Sequence, residues 1–469
     1  MAKESRTEIA RVSGPLVGGR GWPFGSPLDV GRHGCVMEEF LIEGVATSYA
    51  PTPGSTVGLD GRWETEPAET APYRSRMYVV RPADADRFNG IVLVNWQNVT
   101  AGVDLGAPAA YDLDHGYAWV GITTQRVAIE GQPALALGLP ETKGLPAWDP
   151  QRYGSLQHPG DAFSYDIFSQ GARAVGPARP TVPVDPLGGL APRLVIATGG
   201  SQSAMRLGSY LNIADRRDAV FDGFFLLVHW GMCPYPPDQG LMQSFTPIGG
   251  GLTAGNAAIA EGHRAPVLVL NSESETMNVY PVRQADSESF RFWEMAGTAH
   301  AGAAAGEEMD AIMGRDGLGP VVVSEGRNLV DWSYVRNAAL EHLVSWAGGG
   351  PPPRSFPPIE VDDSSKPTIR RDEFGNALGG IRLPDVVVPT AAHSGTNLGN
   401  PVAALAGQSI PLSGDQIAAL YSDRVSYLTA WDAAAKELVV QELVLEDDVD
   451  AVVARGRVIA DELWGRTSA

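Results

Sequence analysis

Residues 194–207 read LVIATGGSQSAMRL. An apolar run leads into two glycines, then Ser-Gln-Ser, then a segment of helical character. A serine between small residues at the bend from a strand into a helix is the pattern of a nucleophile elbow. Gly-Gly-Ser also reads as an ordinary turn, so the rest of the chain must decide. The neighbours of Ser201 at −2 and +2 are Gly199 and Ser203. Both are small, as a tight turn that brings them together requires. The second position usually holds Gly, so the match to G-x-S-x-G is imperfect. Ser203 fits worse as the nucleophile, because its own +2 neighbour is Met205. A phosphate-binding loop would need a Gly-Lys-Ser/Thr end and a dinucleotide loop a G-x-G-x-x-G spacing, and neither is present here.

A serine hydroxyl is a weak nucleophile at neutral pH and needs a base, itself oriented by a carboxylate. In this type of fold the partners follow in the order acid, then His, each after a later strand. The run APVLVLN (265–271) ends in SESE, offering Glu273 and Glu275, and FRFWEMAG (290–297) ends in TAHAG, offering His300. Each candidate follows a predicted strand, where open parallel sheets place their sites. Glu275 is preferred as the acid because it lies further past the strand; Glu273 reads equally as a residue that holds the loop. The other histidines read as structural, although His229 sits near a strand end and is placed to line a pocket. The oxyanion needs two backbone donors. The N–H of Gln202 is one. The other is expected from the loop after IVLVNW (91–96), at Gln97 or Asn98. Trp96, Asn98 and Trp230 are the expected substrate-contacting side chains, with plain core packing an equal reading for Trp96. Asn98-Val99-Thr100 also matches a glycosylation sequon.

Around this constellation the chain alternates buried strands and helices. MYVVRP (77–82), FNGIVLVNW (88–96), GYAWVGITTQ (116–125), RLVIAT (193–198) and DGFFLLVHW (222–230) read as strands. DAFSYDIFSQGARAV (161–175), SAMRLGSYLNIA and GRNLVDWSYVRNAALEHLVSW (326–346) read as helices, the last with Leu329, Trp332, Val335, Leu340 and Leu343 on one side. Near-continuous apolar strands mean a mostly parallel sheet covered on both faces. The expected organisation is an N-terminal extension over 1–75, a core over 76–347 with a cap-like insert at 231–264, and a C-terminal extension over 348–469 packed on the core.

The chain has 469 residues, a formal net charge of −20 and a pI near 4.8. Such a surface repels phosphate backbones and anionic lipid, which argues against nucleic-acid and membrane partners. The N-terminus lacks a signal-peptide apolar run and no stretch is long enough to span a bilayer, so a soluble, cytoplasmic protein is expected. Cys35 and Cys233 are expected to be free. The sequence leaves the oligomeric state open.

The runs FNGIVLVNWQNVTAGVD, GYAWVGITTQ, RYGSLQHPGDAFSYDIFSQ, ATGGSQSAMRLGSYLN, FRFWEMAGTAHAG and GNALGGIRLP together resemble a large bacterial family known as alpha/beta hydrolase domain proteins. The resemblance extends into the tail after residue 350. It implies an α/β-hydrolase fold and a Ser-acid-His site, with Ser201 and His300 on the family's SQSA and GTAH motifs. Two positions depart from the family pattern. Its acid loop ends in Asp where this chain has Glu275, and its strand end carries Glu-Trp where this chain has Asn95-Trp96. The expectation is a serine hydrolase cleaving a small-molecule carboxylic ester or lactone, with no metal or organic cofactor. An acyltransferase or amidase using the same three residues is the alternative, and a non-catalytic binding protein stands further behind.

Overall fold

A computed structural model describes residues 8–21, 23–133, 141–179, 184–234, 256–317, 326–397 and 404–465. Ten strands form one sheet: β1 (Arg11–Ser13), β2 (Cys35–Pro51), β3 (Thr65–Pro82), β4 (Ile91–Trp96), β5 (Ala118–Ile122), β6 (Leu194–Gly200), β7 (Gly223–Leu227), β8 (Val267–Ser272), β9 (Phe290–Ala296) and β10 (Ile381–Arg382). Their spatial order is β1-β2-β3-β5-β4-β6-β7-β8-β9-β10. From β5 to β10 all neighbours run parallel, while β1, β2 and β3 are antiparallel. The chain leaves β4 toward β5 on one side and returns to β6 on the other. That reversal is the topological switch point at which such sheets open a crevice.

The apolar strands are explained by burial on both faces. Val92, Val94 and Trp96 of β4 enter one core with Val195 and Ala197 of β6, whereas Ile91 and Leu93 enter the other with Ile196. The first core is closed by α1 (Ser164–Arg173) through Ile167 and Phe168, and by α2 (Gln202–Tyr210) through Ala204 and Leu207. After α3 (Ala303–Arg315), α4 (Ser333–Ala347) closes the second core with Val335, Leu340 and Leu343. The helix starts only at Ser333, so Leu329 lies outside it and is exposed, against expectation; Asn328 and Asp331 side chains accept from Val330 and Ser333 N–H there and hold a non-helical entry.

The flanking regions are more integral than the sequence suggested. Residues 1–75, expected as an extension on the core, supply β1, β2 and the first half of β3. Phe40, Ile42, Ala46 and Tyr73 belong to the first core. Period-2 alternation is missing there because residues 39–42 are buried on both faces of the strand and residues 66–70 are exposed on both. At the other end β10 extends the sheet beside β9. Helices α5 (Arg424–Val440) and α6 (Val449–Trp464) place Leu438 and Val452 on the second core. Most of the expected cap insert, residues 235–255, lies outside the described residues. Cys35 and Cys233 are free and buried. Among the described residues no helix is long and apolar enough to cross a membrane.

Candidate active site

Ser201 sits between the end of β6 and the start of α2 with φ 58° and ψ −121°. This is a strained conformation for a residue with a Cβ, of the kind that persists where surroundings over-determine it. Three features hold it. Ser201 N–H donates to Leu227 O at 2.9 Å, extending the ladder to β7. A Cβ on Gly199 would meet Leu207 Cδ1 at 3.0 Å and the Ser203 backbone at 3.0–3.1 Å, so the −2 position has room for little beyond hydrogen. Ser203, standing where Gly is usual, does more than stay small: its Oγ donates to Gly200 O at 2.8 Å and lies 2.9 Å from Gly200 N. The hydroxyl closes the bend that a second glycine would leave open.

The acid and histidine lie further along the same edge of the sheet, and every residue of the SESE run takes a part. Ser272 caps the short turn after β8: its N–H and Oγ donate to Glu275 Oε2 at 2.9 and 2.7 Å. Glu275 Oε1 then faces His300 Nδ1 at 2.7 Å. This carboxylate is fully buried, and these donors satisfy it as burial of a charge demands. With Nδ1–H given to Glu275, the free lone pair is on Nε2. Ser274 Oγ accepts from His300 N–H at 2.9 Å, which fixes the histidine backbone as well as its ring.

Glu273 faces away from the imidazole. Its Oε2 accepts from Gly297 N–H at 2.8 Å and its Oε1 pairs with Arg371 at 2.6 Å. The loop-holding alternative describes it, and Glu275 is the carboxylate that meets His300.

Trp230 is half-buried against His300. Its ring lies 5.2 Å from that of His300, tilted by 33°. The turn that presents it carries Val228 at φ 46° and Gly231 at φ 66°. Asn271 grips both backbone groups of His229, accepting from its N–H at 2.7 Å and donating to its O at 2.8 Å. A β-branched residue in the left-handed region is costly, and that side-chain clamp holds it there. His229 is buried, with its pKa pushed down to about 4 by burial. Its Nδ1 accepts from Gly231 N–H, and it lines a cavity of about 20 Å³ with Val269, Phe290 and Phe292.

Two expectations are corrected. Trp96 is fully buried; its Nε1 donates to Gln125 Oε1 at 3.1 Å and its ring packs on Tyr165 and Phe168. The alternation of β4 directs residue 96 under α1 and away from any substrate. The N–H of Gln97 is also committed, to Ile122 O at 3.3 Å, because the β4–β5 ladder continues one residue past the strand. Asn98 N–H likewise donates to Leu105 O at 2.9 Å. The Asn98 side chain is different: its Nδ2 donates to Gly200 O at 3.0 Å, next to Ser201, and retains a second hydrogen. Its Oδ1 accepts from Thr100 N–H at 2.8 Å, so the amide orientation is defined. The loop itself is anchored by Arg76, buried between Glu39 and Asp104 at 2.9 Å from each.

Gln202 N–H, at the first position of α2, belongs to the set that a helix leaves without an internal partner. Its side chain donates to Gln125 Oε1 at 2.8 Å. Gln125, Ser272, Ser274 and Arg371 escaped the sequence reading. Only the two serines had a signal, in their alternation with the glutamates.

A comparison with curated proteins finds no match. Among solved structures, esterase Est22 is similar over 68% of this chain and 81% of its own, at 13% identity and a TM-score of 0.34. Oligopeptidase B from Trypanosoma brucei is similar at 12% identity and a TM-score of 0.27, over 56% of this chain and 33% of its own, so this chain spans about a third of that enzyme. A family model described as "Alpha/beta hydrolase domain" matches residues 12–454. The chain is a member of the alpha/beta hydrolase domain family.

Proposed function

We propose that the protein is a serine hydrolase that cleaves a carboxylic ester or lactone through an acyl-enzyme on Ser201. The observation that carries this reading is the 2.7 Å Glu275–His300 pair on the same edge of the sheet as a serine held at φ 58° on a strand-to-helix bend. Ser201 Oγ attacks the carbonyl carbon while His300 Nε2 takes its proton. Glu275 orients the ring and stabilises the imidazolium that results. The tetrahedral oxyanion is held by Gln202 N–H and, in place of the committed Gln97 N–H, by the second hydrogen of Asn98 Nδ2. Collapse breaks the C–O bond, and His300 returns the proton to the leaving alkoxide. A water deprotonated by His300 then attacks the acyl carbon, and Ser201 leaves with that proton. Trp230, tilted against the imidazole, borders the reacting centre and excludes water from one side.

Treatment of the purified protein with a fluorophosphonate tests this directly. Peptide mass spectrometry is expected to find the adduct on Ser201, with none on a Ser201→Ala chain, whose kcat on ester substrates falls by on the order of 10⁶. Folded protein that leaves Ser201 unmodified would sink the reading.

A further inference from the structure

The motif DEFGNALGGIRLP (372–384), preceded by Arg371, has no part in the reaction as written, yet it lies against the acid loop. Asp372 organises its turn: Oδ1 accepts from Phe374 N–H at 3.0 Å and Asn376 N–H at 2.9 Å. The resulting bend offers Gly375 O to Arg371 Nη1 at 3.0 Å, which aims the other guanidinium nitrogen at Glu273 Oε1, 2.6 Å away. Asn376, fully buried, accepts from His393 N–H at 2.7 Å and donates to Ala391 O at 3.2 Å. It thereby ties the turn to the segment that ends in Gly395.

Gly395 makes the second contact. Its N–H donates to Glu273 Oε1 at 3.2 Å, and its O accepts from Ser274 Oγ. A Cβ at this position would meet Ser274 N at 2.4 Å and Glu273 C at 2.7 Å, so the two backbones approach as closely as hydrogen allows. The contacts then pass straight into the site. Glu273 Oε2 holds Gly297 N–H, three residues before His300, and Ser274 Oγ holds His300 N–H. Between them Glu273 and Ser274 leave no slack in the backbone that joins Glu275 to β8.

We propose that Arg371 is a positioning residue of the hydrolase site, and that the C-terminal segment 371–395 sets the Glu275–His300 geometry through Glu273 and Ser274. This rests on the reading of Glu275 and His300 as acid and base. Arg371 touches no reacting atom. Its ion pair with Glu273 fixes a buried carboxylate that otherwise would draw on Gly297 and Gly395 alone. A shift of a few tenths of an ångström there moves the base relative to Ser201, and such displacements lower kcat more than binding.

The test uses the full chain with three substitutions: Arg371→Met, Arg371→Lys and Gly395→Ala. Folding is verified by circular dichroism and thermal melting. In Arg371→Met, kcat is expected to fall about tenfold or more with KM within twofold. The low-field proton resonance of His300 Nδ1–H shifts or broadens, and Arg371→Lys recovers part of both. Gly395→Ala, which presses a methyl group into the same loop, gives the same two changes and carries the test if Arg371→Met does not fold. Wild-type kcat, KM and resonance in the folded variants would overturn the proposal. The resonance is read without substrate, so an inactive wild-type chain that still shows it, moving with Arg371→Met, counts against the proposed activity and not against the positioning role.

Discussion

The two halves of the site are built by different means. The nucleophile half is local: Gly199, Gly200, Ser201, Gln202 and Ser203 are consecutive, and the bend closes on its own hydroxyl and on the neighbouring strand. The acid–histidine half is assembled from afar. Glu275 and His300 follow different strands, and the loop between them is gripped by residues about a hundred positions downstream. The elbow is held by its own turn, by β7 and by the nearby Asn98 side chain, whereas the loop carrying Glu275 is also contacted by the C-terminal extension. Damage to the extension is therefore expected to leave Ser201 in place and to misplace the group that activates it.

The largest effect expected on the second half is at Glu275. Glu275→Gln removes the carboxylate from His300 Nδ1 and is expected to lower kcat by up to about 10⁴, by analogy with acids in other triads. Glu273→Gln keeps an acceptor for Gly297 but loses the charge that holds Arg371, and the expected loss is about tenfold. Measured side by side, the two variants separate an acid from a support. A crippling Glu273→Gln beside a harmless Glu275→Gln would reverse the assignment.

On the nucleophile side the sharpest probe is Asn98. Removing a single oxyanion donor costs on the order of 10² to 10³ in kcat. Asn98→Ala is expected to fall at the lower end of that range, with KM little changed, because Gln202 N–H remains. Full kcat in this variant would pass the role to Val99 N–H, whose contact with Gln202 Oε1 is a long 3.5 Å.

The same division governs what the sequence disclosed. The elbow, the order Ser201, Glu275, His300, and the buried strands β4, β6, β7 and β8 were legible because each signal lies within a few residues: an apolar run, a pair of small residues, a carboxylate just past a strand. The long hairpin of β2 and β3 was not, because residues 39–42 are buried on both faces and residues 66–70 are exposed on both, so neither stretch alternates. For Trp96 the sequence left pocket wall and core packing equal, because residue spacing gives a strand's two faces but not which one borders a site. The commitment of Gln97 N–H depends on where the β4–β5 ladder stops, a matter of register that a single strand does not contain. The grip of Arg371 on Glu273 spans 98 positions and leaves no local trace.

The smallest expected effect concerns the strand between the halves. His229 lies two residues past the end of β7, between Leu227, whose O accepts from Ser201 N–H, and Trp230. Its pKa in the folded chain is about 4, below the ordinary value of 6.5, because burial disfavours the charged ring. The unfolded chain therefore binds a proton that the folded one refuses between those values. Stability from this group is complete above pH 6.5 and is lost as the pH falls toward 4, by on the order of 3 kcal/mol across the window. Urea unfolding of wild type and of His229→Gln is expected to show the difference between the two curves shrinking by about that amount from pH 7 to pH 4. Glutamine retains an acceptor for Gly231 N–H but does not titrate. Parallel curves would mean that the cavity beside His229 admits enough water to solvate the imidazolium, and that this part of the molecule is looser than its packing implies. A converging pair would make β7 the rigid post against which both halves are set: the local half through Leu227, the assembled half through Trp230.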